Sequence, residues 1–198
     1  MLRDKLNGLK IILASGSPRR QQFFKDLDID FEIRLKEVEE VYPPHLKAEE
    51  ITNYLAQLKA SAFEGTIQKN ELLVTSDTIV WLDNQALGKP KDYEDAFHIL
   101  RKLSDATHEV ITSVCFTTIN SSETLFDVTK VTFSHLSDEA IHYYLENYKP
   151  FDKAGAYGIQ DWIGLVGISK IEGSYTNVVG LPTEKVNNYL TQFHSINS

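Results

Sequence analysis

The chain has a single cysteine, Cys115, so no disulfide within it can brace the fold. That cysteine sits in the apolar run Val114-Cys115-Phe116, which reads as a buried, inert thiol in a reducing compartment. No uninterrupted apolar stretch approaches the ~20 residues that cross a bilayer. The opening residues carry Arg3, Asp4, Lys5, Lys10, Arg19 and Arg20 and lack the apolar centre of a secretory signal. A cytoplasmic protein without a membrane span is expected. Basic residues are also in deficit: 20 Lys and Arg against 28 Asp and Glu leave a formal net charge of −8. That balance opposes general binding to a nucleic-acid backbone, so any polyanionic ligand must be met by a local basic pocket. His45, His98, His108, His135, His142 and His194 are too scattered for a zinc site. Neither a Walker loop, nor a dinucleotide fingerprint, nor a nucleophilic triad is present.

What is present is enough apolar material for a core of its own, 42% of 198 residues, and one domain spanning 1–198 is expected. Lys10 to Ala14 is a short apolar run that breaks into Ser15-Gly16-Ser17-Pro18, after which Phe23, Phe24 and Leu27 recur at helical spacing. Ser17 suits an N-cap and Pro18 the first helical turn, which places Arg19 and Arg20 in that turn. Phe31, Ile33 and Leu35 alternate with polar residues and predict a strand with one wet face. Residues 37–44 read as a loop because Pro43-Pro44 excludes ladder bonding. A helix of about 15 residues follows from Leu46, with Ile51, Tyr54, Leu55, Leu58 and Ala62 on one face and Lys59 beside it.

Leu72 to Ser76 predicts a buried strand leading into Asp77-Thr78, with Ile79 to Leu82 resuming before an Asp83-Asn84 turn. Asp92 caps a helix whose inward face is Ala96, Ile99, Leu100 and Leu103. Residues 108–134 predict a hairpin around Asn120-Ser121-Ser122. Ser137 opens a helix with Ile141, Tyr144 and Leu145 inward, and Asp152 to Gln160 reads as a loop rich in small residues. Leu165 to Ile171 looks like a strand, and a final helix from Thr183 turns Val186, Tyr189, Leu190 and Phe193 inward. Strands and helices interleave throughout, so the fold class is α/β.

Three features point to chemistry. Small residues at Ser15-Gly16-Ser17 allow backbone N–H groups to approach a ligand, and Arg19 and Arg20 at a helix start favour phosphate. Asp77 plants a carboxylate where an apolar strand of an α/β sheet ends, the usual position for a ligand. Glu37, Glu39 and Glu40 could hold Mg²⁺, a hard cation that takes one or two carboxylates with substrate oxygens. With Lys59 and Lys89, these groups have the makings of a triphosphate-and-metal site. Each alone also reads as a cap, a turn or a solvated charge, and for Asp77 and the acidic run that plainer reading is the commoner one.

The combination resembles the Maf proteins, through Ala14-Ser15-Gly16-Ser17-Pro18-Arg19-Arg20, Ser76-Asp77-Thr78-Ile79-Val80, Gly88-Lys89-Pro90 and the run Lys153 to Gln160. Gly173-Ser174-Tyr175 and Asn177 to Pro182 extend the match over nearly the whole chain. The resemblance implies a mixed, twisted sheet flanked by helices, with two lobes around a deep cleft, similar to the inosine triphosphate pyrophosphatases. It implies metal-dependent hydrolysis of a nucleoside triphosphate to the monophosphate and pyrophosphate, with Mg²⁺ or Mn²⁺ as cofactor. Asp77 would be the catalytic proton acceptor, Glu40 and Asp77 the metal ligands, and Ser15, Arg19, Arg20, Lys59 and Lys89 the substrate-binding residues. Arg19, Thr78 and Gln160 match positions tied to base selection. Gln160 is similar to the subgroup acting on dTTP and UTP, and its amide offers the donor and acceptor that the shared edge of thymine and uracil requires. A homodimer is a family expectation. The alternative is a non-catalytic nucleotide-binding regulator, since the family has also been linked to restraint of septum formation. Two departures stand out: Ser76 replaces a common Ala, and Asp161-Trp162 follows Gln160 where Gly is frequent.

Overall fold

The computed structural model describes Leu2, Leu6 and residues 8–197, with side chains as far as Phe193; Arg3, Asp4, Lys5 and the His194 side chain lie outside them. Its strands are Lys10–Leu13 (β1), Phe31–Ile33 (β2), Glu71–Leu82 (β3), Gln85–Leu87 (β4), Thr107–Thr117 (β5), Ser122–Phe133 (β6) and Ile168–Glu172 (β7). Its helices are Pro18–Asp26 (α1), Glu49–Ser61 (α2), Tyr93–Leu103 (α3), Asp138–Tyr148 (α4), Trp162–Gly167 (α5), Tyr175–Val179 (α6) and Thr183–Asn197 (α7). The strands form one sheet in the order β2-β1-β3-β5-β6-β7, with β4 paired to β3. β1 runs parallel to β2 and β3, whereas β3/β4 and β6/β7 are antiparallel, so the sheet is mixed. No helix among the described residues is long and apolar enough to cross a membrane.

The chain divides into two compact units: Met1–Asp77, Thr112–Phe126 and Gly180–Ser198 form the first, and Thr78–Ile111 with Asp127–Val179 the second. In the first unit the period-two geometry of strands sorts side chains onto two faces. Ile11, Leu13, Leu72 and Val74 pack with Phe24 of α1 and Val186 and Leu190 of α7. Ile12 and Leu73, one residue out of step, pack instead with Ala56, Ala60 and Phe63. Helices therefore cover both faces of this part of the sheet. Cys115 is fully buried on the α2 side, as its apolar neighbours suggested.

β2 is shorter than its alternating pattern suggested. Leu13 ends β1 opposite Ile33, its carbonyl accepts Arg34 N at 3.3 Å, and the chain beyond has no strand to pair with. Ile33 and Leu35 are consequently 45% and 59% exposed, so the period-two pattern does not mark a buried face here. Arg34 turns back to donate to both carboxylate oxygens of the fully buried Glu71, at 2.8 and 3.0 Å. These bonds, aided by one from Gln68 N, hold the Glu71 carboxyl down at about 2.

The second unit is built around Ala96, Ile99, Leu100 and Leu103 of α3 and Ile141, Tyr144 and Leu145 of α4, the two stripes read from helical spacing. Asp92 and Ser137 cap these helices, accepting from Asp95 N and Ala140 N at 2.8 and 3.2 Å. Asp83 and Asn84 both take positive φ, 49° and 60°, and make the tight turn that joins β3 to β4. The expected strand over Leu165 to Ile171 is corrected: Trp162–Gly167 is helical, and β7 starts only at Ile168. Leu165 and Val166 are 81% and 52% exposed, so their apolar character reflects no buried strand face.

Candidate active site

Ser17 does cap α1: its Oγ accepts Arg20 N at 3.5 Å, and Pro18 opens the helix. This first turn directs Arg20 inward. Its Nε donates to the Gly180 carbonyl at 2.8 Å, and its Nη1 to the Ser76 carbonyl at 2.9 Å and to Ser15 Oγ at 3.4 Å. One guanidinium thus ties the α1 turn, the β3 strand just before Asp77, and the entry to α7. Ser15 is buried and also accepts from Ser17 N and, through its carbonyl, from Gln21 Nε2. Burial lowers the Arg20 pKa, and the charge of Asp77 counters part of that shift. Arginine stays cationic even so.

Asp77 is only 6% exposed and lies inside the unbroken strand β3, not at a strand end as the sequence suggested. Thr75 and Asp77 share a strand face, and both reach α2. Thr75 Oγ1 donates to the Ala56 carbonyl at 2.7 Å, and one helical turn later Lys59 Nζ donates to Asp77 Oδ1 at 2.6 Å. The threonine bond fixes the register that makes the ion pair. Lys59 also meets Glu40 Oε1 at 3.1 Å, from the loop before α2. Of the three acids at 37, 39 and 40, Glu40 is the one brought to this lysine.

Two carboxylates therefore converge on one cationic point. Among the described residues no group of three or more His, Cys, Asp or Glu side chains could hold a metal ion. The donor set fits an ion completed by phosphate oxygens, as Mg²⁺ commonly is, and does not fit a metal caged by protein alone.

Arg19, half-buried in the first turn of α1, belongs to the first unit, and the remaining expected residues, Thr78, Lys89 and Gln160, to the second. Thr78 follows Asp77 along β3 and is half-buried. Lys89 is exposed on a turn whose preceding carbonyl, Gly88 O, accepts Gly155 N at 3.0 Å. Gly155 has φ 68°, and a Cβ there would stand 2.7 Å from Val80 Cγ2, so the glycine of this motif serves close packing. Gln160 is exposed at the tip of a turn closed by Asp161 N donating to Gly158 O at 3.0 Å. Neighbouring Tyr157 is buried, its hydroxyl 2.7 Å from His108 Nε2.

The family model for the Maf-like protein matches residues 10–193, which takes in every residue of this site. The chain belongs to the Maf-like family. Among relatives of this Maf-like chain, a dTTP/UTP pyrophosphatase of Flavobacterium psychrophilum is 72% identical over 190 residues, 96% of this chain and 97% of that protein. Another of the same name, from Christiangramia forsetii, is 54% identical over the whole of both chains. A nucleoside-triphosphatase / dITP/XTP pyrophosphatase from Mycobacterium abscessus is similar in structure, with a TM-score of 0.49 and 13% identity over 96% of this chain and 99% of that one.

Three groups that bond to the candidate residues or to the segments carrying them escaped the sequence reading. The Ser76 and Gly180 carbonyls are backbone groups with no side-chain signal, although Gly180, at φ 125°, occupies a conformation that glycine favours. Tyr144 reads from its helical stripe as core and nothing more. Its hydroxyl nonetheless contacts the turn that carries Gln160.

Proposed function

We propose that this Maf-like protein is a nucleoside triphosphate pyrophosphatase that hydrolyses dTTP and UTP to the monophosphate and pyrophosphate. The observation that carries the reading is the buried Asp77 carboxylate, held by Lys59 beside Glu40 and within the field of Arg20. The names of the relatives at 72% and 54% identity support the same substrates. Asp77 accepts a proton from water as its oxygen bonds to phosphorus, and the bridging bond between the α and β phosphates breaks to release pyrophosphate. Lys59 and Arg20 offset negative charge gathering on the phosphates, with Ser15, Arg19 and Lys89 as further phosphate-binding residues. A divalent ion, Mg²⁺ or Mn²⁺, would be held by Asp77 and Glu40 and would supply Lewis-acid stabilisation of the phosphoryl charge. Gln160, with Arg19 and Thr78, selects the base. The whole chain acts as one domain, in the cytoplasm, as a homodimer.

The test is to incubate the protein with dTTP, UTP, CTP, GTP and 7-methyl-GTP in Mg²⁺ and identify the products. Pyrophosphate from dTTP and UTP, abolished by excess EDTA, is expected. Orthophosphate would make the protein a phosphatase, no product a nucleotide-binding regulator, and a lead for either guanine nucleotide would overturn the pyrimidine assignment.

A further inference from the structure

The turn carrying Gln160 is short and could take up several orientations were its ends not fixed. Gly158 and Asp161 are those ends, joined by the bond from Asp161 N to Gly158 O at 3.0 Å, with Ile159 buried and Gln160 exposed between them. Both ends converge on one atom. Gly158 N donates to the Tyr144 hydroxyl oxygen at 3.0 Å, and that hydroxyl donates to Asp161 Oδ2 at 2.7 Å. Resting on the reading of Gln160 as the base-selecting residue, we infer that Tyr144 is a positioning residue for substrate specificity, fixing with its hydroxyl both ends of the turn that presents Gln160.

Three observations support this role over one of simple core filling. The Asp161 carboxylate stands at the N-cap of α5, where such a group ordinarily accepts a helix N–H, yet it makes no cap bond and is directed to Tyr144 instead. A Cβ on Gly158 would lie 2.6 Å from Asp161 Oδ2 and 3.0 Å from Gln160 Nε2, so the turn folds tightly enough for the carboxylate and the amide to flank one residue. The tyrosine ring itself is fully buried among the α3 and α4 side chains, a rigid base from which the hydroxyl reaches the turn. Burial and the Asp161 bond raise its pKa above the ordinary phenol value, so it remains a donor at neutral pH. A recognition amide must be held to a few tenths of an ångström to discriminate, and a side chain that locks the loop beneath it supplies that constraint.

The experiment measures kcat and KM for dTTP and GTP in Tyr144→Phe, Gln160→Ala and the double variant. Tyr144→Phe should lower the preference for dTTP roughly three- to tenfold, chiefly through KM for dTTP, as expected for losing a hydrogen-bonded hydroxyl. It should have no effect on that ratio in the Gln160→Ala background. A residue that merely fills the core would shift Tm, or lower both substrates alike, and leave the ratio alone. Asp161→Ala severs one end of the same contact without entering the core and should lower the ratio as well, whereas Asp161→Asn keeps an acceptor and should restore it. If Gln160→Ala alters the preference but Tyr144→Phe and Asp161→Ala do not, the positioning role is wrong while the reading of Gln160 stands. An effect of Tyr144→Phe that persists without Gln160 also overturns it. If Gln160→Ala leaves the preference unchanged, the reading of Gln160 fails and the inference fails with it.

Discussion

The two units bury their polar groups in different ways. In the first, charge meets charge: Arg34 clasps the fully buried Glu71, and Lys59 bridges Asp77 and Glu40. In the second, the deeply buried titratable groups are uncharged. Tyr144 bridges Gly158 and Asp161, while Tyr157 meets a His108 whose burial holds the imidazole neutral down to about 4. The contrast follows the residue central to each proposed role, Asp77 in the first unit and Gln160 in the second, although Arg19 and Lys89 lie across that division. Hydrolysis of a triphosphate develops and moves charge, and preorganised charges answer it. Recognition of a base needs direction more than charge, and a buried hydroxyl bonded to the turn from beneath supplies direction.

Asp77→Asn tests the charged side with the largest effect. The amide keeps the shape and loses the proposed proton acceptor, so kcat for dTTP should fall roughly 10²- to 10⁴-fold while the circular-dichroism spectrum is unchanged. Wild-type turnover in that variant would remove Asp77 from the chemistry. Gly155→Ala tests the packed side. Its Cβ meets Val80 at 2.7 Å on a backbone of positive φ, and about 2–4 kcal/mol should be lost from overpacking and strain together, read as a lower Tm. An unchanged Tm would show that the motif glycine is not retained for packing.

A smaller effect separates the units by pH. His108 has its folded pKa depressed to about 4, so its contribution to stability is complete above about pH 6.5 and is lost as pH falls toward 4. Glu71 is depressed to about 2, so its contribution is complete above about pH 4.5 and is lost only below that. The Tm should therefore decline in two stages on acidification. His108→Gln should flatten the first and Glu71→Gln the second, and a decline insensitive to His108→Gln would contradict the assignment of the upper stage.

Much of this was legible because it is local. Ser17 with Pro18, Asp92 and Ser137 announce helix starts within three residues, and the stripe Ala96, Ile99, Leu100 and Leu103 needs only the 3.6-residue period. What failed depends on a distant partner. β2 ends because β1 ends, which no pattern in 31–35 reveals. The apolar residues from Leu165 onward read as strand because period alone does not say whether a face is covered. Asp77 was visible as a candidate acid, but its lysine comes from 18 residues earlier and is aligned by a threonine hydroxyl bonded to the α2 backbone. Tyr144 hides its hydroxyl's targets 14 and 17 residues further on, behind an ordinary core spacing.

The separation of proton acceptance at Asp77 from base selection at Gln160 is most directly tested by one ratio, kcat/KM for dTTP over that for GTP, compared in Asp77→Asn and Gln160→Ala. Asp77→Asn should depress both substrates together and leave the ratio unchanged, because the proposed proton acceptor would serve every triphosphate alike. Gln160→Ala should collapse the ratio by about tenfold or more while sparing hydrolysis of GTP. A ratio that shifts with Asp77→Asn, or that survives Gln160→Ala while both rates fall equally, would contradict the account.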